Sequence, residues 1–157
     1  MKPSFRKALK RFRDRSGNVM IEFALGSGIL LAAFTGTFQF GYTFLQYNNL
    51  QNAVARGARF ASLAPYDSAT VTPTTAFTTK VQNMVLYGST TAGATPVLPG
   101  LTAANVTVTP YFGPLGIPTK MTVSITGYTI NSIFASSTLT NKPQVMYAYQ
   151  GIWSPLP

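Results

Sequence analysis

The residues with the most chemical potential are Gly17, Asn18 and Glu22, and the chemistry they point to is done on the chain rather than by it. The 157 residues contain no Cys and no His, and only three acids, Asp14, Glu22 and Asp67. That composition excludes a thiol nucleophile, an imidazole base and a Cys/His metal cluster. A carboxylate pair would need Asp67 to meet Glu22, which stands inside an apolar stretch. No catalysis, metal, cofactor or small-molecule substrate is therefore expected. A secretory signal peptide places small residues after its apolar core, whereas here Gly17 precedes it. Cutting after Gly17 would remove a charged arm, keep the apolar helix, and create an amine at Asn18 one helical turn from Glu22.

Glu22 has two readings. A carboxylate within a membrane costs roughly 2.5–3.5 kcal/mol on insertion scales unless it is paired. The partner in the first reading is a terminal amine, its own or that of an adjacent subunit. With an adjacent subunit's amine, an unfavourable charge becomes a rule for axial register. In the other reading Asn18 merely caps the helix, and Glu22 in its first turn meets the positive end of the helix dipole near the lipid headgroups. The spacing leaves both open.

These residues sit at a sharp boundary of charge. Seven of the twelve Lys and Arg fall in the first fifteen residues: Lys2, Arg6, Lys7, Lys10, Arg11, Arg13 and Arg15. Most of the formal charge of +9 thus belongs to an N-terminal arm, residues 1–17. A basic arm suits nucleic acid or an anionic membrane, and the apolar stretch next to it decides for the membrane. Val19–Tyr47 carries one charge, Glu22, and about 23 residues of it are apolar enough to cross a ~30 Å hydrocarbon core. The expected span is about residues 20–45. Lys and Arg before the span hold that end in the cytoplasm, so the remainder is exported. Nucleic acid is not an expected partner. Within the arm, Phe5, Leu9 and Phe12 share a helical face suited to a lipid surface, although a plain flexible arm has the same composition.

Two stripes run along the span. Ala24, Gly28, Ala32 and Gly36 fall four apart, and small residues let helix backbones approach in lipid. Leu30, Phe34, Phe38 and Tyr42 line nearly the opposite side. Gly and Ala are also simply common in membrane helices.

No proline interrupts Val19–Ala64, and Pro65 ends the helix, giving about 46 residues and ~70 Å. Its second half is amphipathic, with Leu50, Val54, Ala58 and Ala61 on one face and Gln51, Asn52, Arg56 and Arg59 elsewhere. Arg56 and Arg59 would face lipid phosphates, a neighbour or solvent. Beyond it, residues 65–157 form an exported β-rich head. Ala76–Tyr87 reads as a short helix, with Phe77, Val81, Met84 and Val85 inward and Gly88 as its stop. Period-two alternation marks three strands: Asn105–Thr109, Lys120–Ile130 with a bulge at Gly127, and Gln144–Gln150. Tyr111–Thr119 is expected to be loop. The outward positions are hydroxyls rather than charges, as suits either burial against neighbours or a neutral exported surface. The Asn105-Val106-Thr107 sequon reads as a piece of strand. The fold class is α+β, a long N-terminal transmembrane helix followed by a small head with an antiparallel sheet of about three strands.

The junction Arg13-Asp14-Arg15-Ser16-Gly17-Asn18-Val19-Met20-Ile21-Glu22-Phe23-Ala24-Leu25 resembles the opening of TadE-like proteins, pilin-like minor subunits of tight-adherence (Flp, type IVc) pilus systems. Gly17 followed by Glu22, at the fifth position of the remaining chain, resembles the processing site of type IV pilins. The run Tyr47-Asn48-Asn49-Leu50-Gln51-Asn52-Ala53-Val54-Ala55-Arg56-Gly57-Ala58-Arg59 is similar to the same family, and the resemblance covers roughly residues 11–62. It implies a type IV pilin-like fold, cleavage between Gly17 and Asn18 by a prepilin peptidase, and an assembly role for Glu22. It also implies a bacterial inner-membrane or pilus location, a part in cell adhesion, and other pilin-like subunits and pilus assembly machinery as partners. The competing expectation is a membrane-anchored display domain that never polymerises.

Overall fold

The computed structural model describes residues 15–131 and 136–155. The basic arm with Phe5, Leu9 and Phe12 lies outside the described residues. The chain divides into two compact units, Met1–Gly41 and Tyr42–Pro157. The element common to both is α1, a single helix over Arg15–Leu63. Helix is continuous through Gly17 and Asn18, so Asn18 lies inside it and caps nothing. This removes the reading in which Glu22 sits in the first turn of the uncut helix.

In the first unit the large apolar side chains of α1 stand uncovered among the described residues. Phe23, Ile29, Leu30, Phe34, Phe38 and Phe40 are all exposed. Hydroxyls in this segment bond to the helix's own backbone: Ser27 Oγ donates to Ala24 O (3.0 Å), Thr35 Oγ1 to Leu31 O (2.8 Å) and Thr37 Oγ1 to Ala33 O (3.0 Å). Each hydroxyl proton is thereby satisfied without water.

The second unit is built around the C-terminal half of α1. Leu50, Ala53, Val54, Ala58 and Ala61 are fully buried, while Gln51, Asn52, Arg56 and Arg59 are exposed, as the amphipathic pattern requires. Helix α2, Thr75–Tyr87, packs beside it. Its start is fixed by Thr74, whose Oγ1 accepts from Phe77 N–H (3.2 Å), and its end by Gly88 in the left-handed conformation (φ 72°), whose N–H donates to Met84 O (3.1 Å). The inward face is Phe77, Val81, Val85 and Leu86; Met84 is only half-buried. The two helices meet at Gly57. A Cβ there would run into Val85 Cγ2, with Val81 O 3.6 Å away.

A three-stranded antiparallel sheet completes the core. Its strands are β1 Val106–Phe112, β2 Pro118–Ile125 and β5 Gln144–Ala148, in the order β1–β2–β5. Val106, Met121, Val123 and Ile125 are buried with the helices. Two expectations about the strands are corrected. Tyr111, Phe112, Pro118 and Thr119 are strand, so the loop shrinks to residues 113–117, and the register irregularity falls at Tyr111/Phe112 rather than at Gly127. Gly127 instead breaks the middle strand: its φ of 74° leaves the pleat, and the chain re-enters a separate two-stranded sheet of β3 Thr129–Asn131 and β4 Ser136–Thr138. The inward positions shift by one residue across this break, from the odd-numbered Met121, Val123 and Ile125 to the even-numbered Tyr128 and Ile130. Asn105 lies in a 3-10 turn before β1, not in the strand. Its amide donates to Thr126 O (3.2 Å), and its carbonyl accepts from Thr102 N–H (3.0 Å) and Thr102 Oγ1 (2.9 Å).

Gly57→Ala is expected to destabilise the head by about 1–3 kcal/mol, the usual cost of overpacking. Adding Val85→Ala should recover part of that loss, since the two sites share one contact. Denaturant unfolding of the four chains in detergent, followed by near-ultraviolet circular dichroism, measures the coupling. Strict additivity would contradict a close crossing at Gly57.

Candidate functional site

The chemistry-bearing residues of the first unit lie along one exposed helix. Gly17, Asn18 and Glu22 are all exposed, with Asn18 and Glu22 one turn apart on the same face. Ala24, Gly28 and Ala32 are exposed and Gly36 half-buried, and added Cβ atoms at Gly28 and Gly36 would meet nothing within 4 Å. The small-residue stripe is therefore open. α1 is long and apolar enough to cross a membrane, and the apolar window that qualifies is wholly unburied.

The second unit anchors the end of this helix. The last carbonyls of a helix have no intrahelical donors, and here the C-terminal segment supplies them. Gln150 N–H donates to Ser62 O (2.8 Å), and the Tyr149 hydroxyl lies within hydrogen-bond reach of Ala64 O (3.1 Å) and Ile152 O (2.8 Å) while accepting from Tyr66 N–H (2.9 Å). Tyr66 N–H also donates to Ile152 O (3.0 Å), Ser154 N–H donates to Tyr66 O (3.1 Å), and Trp153 Nε1–H donates to Ser68 O (3.2 Å). The Tyr66 ring is fully buried, edge-on to Phe77 and Phe112. Gly151 fits only because it has no side chain: a Cβ there would lie 2.9 Å from Leu63 O and 2.7 Å from the Tyr149 hydroxyl.

Within the head, Asp67 is engaged by a hydroxyl rather than by a second carboxylate. Its Oδ1 accepts from Thr74 Oγ1 (2.7 Å), so it supports the start of α2. Arg56 and Arg59 are exposed on α1. Arg59 lines a cavity of about 310 Å³ with Ser62, Leu63, Tyr147, Ala148 and Gln150. Gly57 and Ala58 between the two arginines are buried, which gives the Arg-Gly-Ala-Arg run a physical meaning: two solvent-facing cations flank the helix crossing.

Residues 17–59 match the family of TadE-like proteins. That TadE-like segment begins at the glycine of the junction and ends at Arg59, so it takes in the apolar stretch, Glu22 and the helix crossing, and leaves out the sheet. No curated protein and no solved structure matches the chain. Three features of the site escape the sequence reading: the crossing at Gly57, the Tyr149 hydroxyl and the exposed strand edge beside Arg59. Gly57 carries a signal, a helix-breaking residue between two alanine-rich turns. Tyr149 carries none beyond its strand parity.

Burial raises the hydroxyls of Tyr149 and Tyr66 above their ordinary 10.0. The unfolded chain ionises near 10.0 and the folded chain only above it. Their contribution to stability is thus complete below pH ~10 and lost as pH climbs through the folded values. Tyr149→Phe should cost about 1–2 kcal/mol at neutral pH, because Ala64 O loses its donor. It should also make the alkaline loss shallower, leaving the share due to Tyr66 and to Tyr128, whose hydroxyl burial also raises. Unfolding midpoints between about pH 8 and 12 check both, and an unchanged alkaline slope would remove Tyr149 from the anchorage.

Proposed function

We propose that the chain is a minor pilin-like subunit of a Tad-type (type IVc) adhesion pilus. It is held in the bacterial inner membrane by α1, with its N-terminus cytoplasmic and its head exported. A prepilin peptidase cuts it after Gly17, and it then assembles with other pilin-like subunits through the N-terminal helix. The observation that carries this reading is the coincidence, within one TadE-like segment, of Gly17, Glu22 and an uncovered apolar helix.

The helical state of the junction supports a specific sequence of events. A peptide bond inside a helix must unwind locally before a protease can reach it, and Gly17 lowers that cost by about 1 kcal/mol relative to Ala. In the uncut chain Glu22 lies too far along α1 to feel the helix end. After cleavage, Asn18 carries the new amine and the positive end of the dipole, and Glu22 lies one turn away. Removal of the leader would thus create a partner for Glu22. An adjacent subunit's amine can take the same role, which fixes axial register. The small-residue stripe Ala24, Gly28, Ala32 and Gly36 then gives the helices a face for close approach. Arg56 and Arg59 meet the neighbours or solvent beyond the apolar stretch.

Glu22→Leu should leave insertion intact but lower crosslinking to neighbouring subunits at least tenfold, whereas Glu22→Asp should retain part of it. Gly28→Leu with Gly36→Leu should weaken the same crosslinks through packing alone. A Glu22→Leu chain that assembles normally would favour the display-domain alternative.

A further inference from the structure

Among the described residues the sheet of the head has two unpaired edges, and they are not alike. The β1 edge is blunted: Pro110 offers no N–H, and Val106 O accepts from Gln82 Nε2 of α2 (3.4 Å). Among the described residues the β5 edge has neither device between Gln144 and Ala148, although Gln150 N–H, on the same side beyond the strand, donates to Ser62 O of α1 (2.8 Å). Tyr149 N–H donates to Thr119 O (2.8 Å) and Ile125 N–H to Pro143 O (3.2 Å), which fixes the alternation between β2 and β5. Odd-numbered residues of β5 therefore face β2, and Gln144, Met146 and Ala148 turn their N–H and C=O groups to the open side. All three residues are exposed, and Gln144–Ala148 contains no charge, no proline and no glycine.

The Arg59 cavity adjoins the same strand. Tyr147 has the inward parity of Met121 and Val123, and with Ala148 it lines the cavity opposite Arg59, Ser62 and Leu63. Arg59 makes no ion pair among the described residues. The second unit carries Arg56, Arg59, Lys80, Lys120 and Lys142 against one side-chain carboxylate, Asp67, which is already engaged by Thr74. A second copy of the head therefore brings mainly like charge to this surface.

We propose that the free edge of β5 is a docking site for an extended strand of another protein, one that carries a carboxylate. Main-chain bonds to Gln144, Met146 and Ala148 add that strand to the sheet, and a side chain on its inward face sets the carboxylate against the Arg59 guanidinium. Main-chain bonding supplies affinity and the alternate side chains supply selectivity, with the charged pair as the strongest single contact. The site requires only residues of the head, and it stands whether or not residues 1–17 are removed.

The test uses the full chain in detergent micelles and a fluorescent nine-residue probe of alternating Thr and Val with Glu at its centre. The same probe with Gln in place of Glu is the control. Saturable binding is expected, about tenfold tighter for the Glu probe, with hydrogen-exchange protection appearing over residues 144–148. Met146→Pro removes a donor on the open side only and should abolish binding of both probes with the fold intact by circular dichroism. Arg59→Gln should erase the difference between the probes while keeping the weaker binding. Absence of binding, equal binding of the two probes to the unaltered chain, or binding that survives Met146→Pro would each overturn the proposal.

Discussion

Water cannot hold the first half of α1 as it stands. Between Val19 and Leu45 the large apolar side chains, five phenylalanines among them, are exposed. Covering each would be worth about 1.5–3 kcal/mol, so together they amount to tens of kcal/mol, beyond the roughly 5–15 kcal/mol by which a domain usually folds. The helix must be covered by lipid or by other helices, and the rest of the molecule is arranged around that requirement. Hydroxyls fold back onto helix carbonyls, cations stand outside the apolar stretch, and one carboxylate lies within it.

That carboxylate makes the arrangement specific. An apolar helix alone would serve as an anchor, and Glu22 weakens it for that purpose. Among the described residues helix already runs from Arg15, so Glu22 has there neither a terminal amine nor the first turn of the helix beside it. Cutting after Gly17 supplies both at once. The same glycine that a protease would need as a small residue is also the residue least committed to the helix. In the proposed function, cleavage, charge pairing and register are linked through the short stretch between Gly17 and Glu22.

The head shows a division of labour along one helix. The face that carries Leu50, Val54, Ala58 and Ala61 builds the core, and Gly57 lets α2 approach to backbone distance. The last turn is then fastened by residues close to the other end of the chain, through Tyr149, Gln150 and Ile152. This closure links elements more than eighty residues apart. Much of the rest was legible in the sequence because it depends on local periodicity or on single strong signals. Pro65, the Gly88 stop, the amphipathic turns of α1 and the three-stranded antiparallel sheet belong to that class. The features that were not legible depend on long-range partners. The end of β2 at Ile125 and the second sheet shift the inward parity by one residue across Gly127, a change that a bulge within one strand would equally produce. The value of Tyr149 lies in its hydroxyl, whose partners are set by tertiary structure, and the helical state of Asn18 overrode its preference for a cap. The site residues Gly17, Asn18 and Glu22 were found by type and spacing, whereas the open edge of β5 appeared only once the strand order was known.

The central claim is that the Gly17–Asn18 bond is the point at which this chain changes from membrane precursor to assembly subunit. The intact mass and N-terminal sequence of the protein recovered from its native membranes test it most directly. A chain that begins at Asn18, with the basic arm gone and Glu22 at the fifth position, is the predicted result. A chain that still begins at Met1 would contradict it, leaving α1 an anchor and the head a displayed domain.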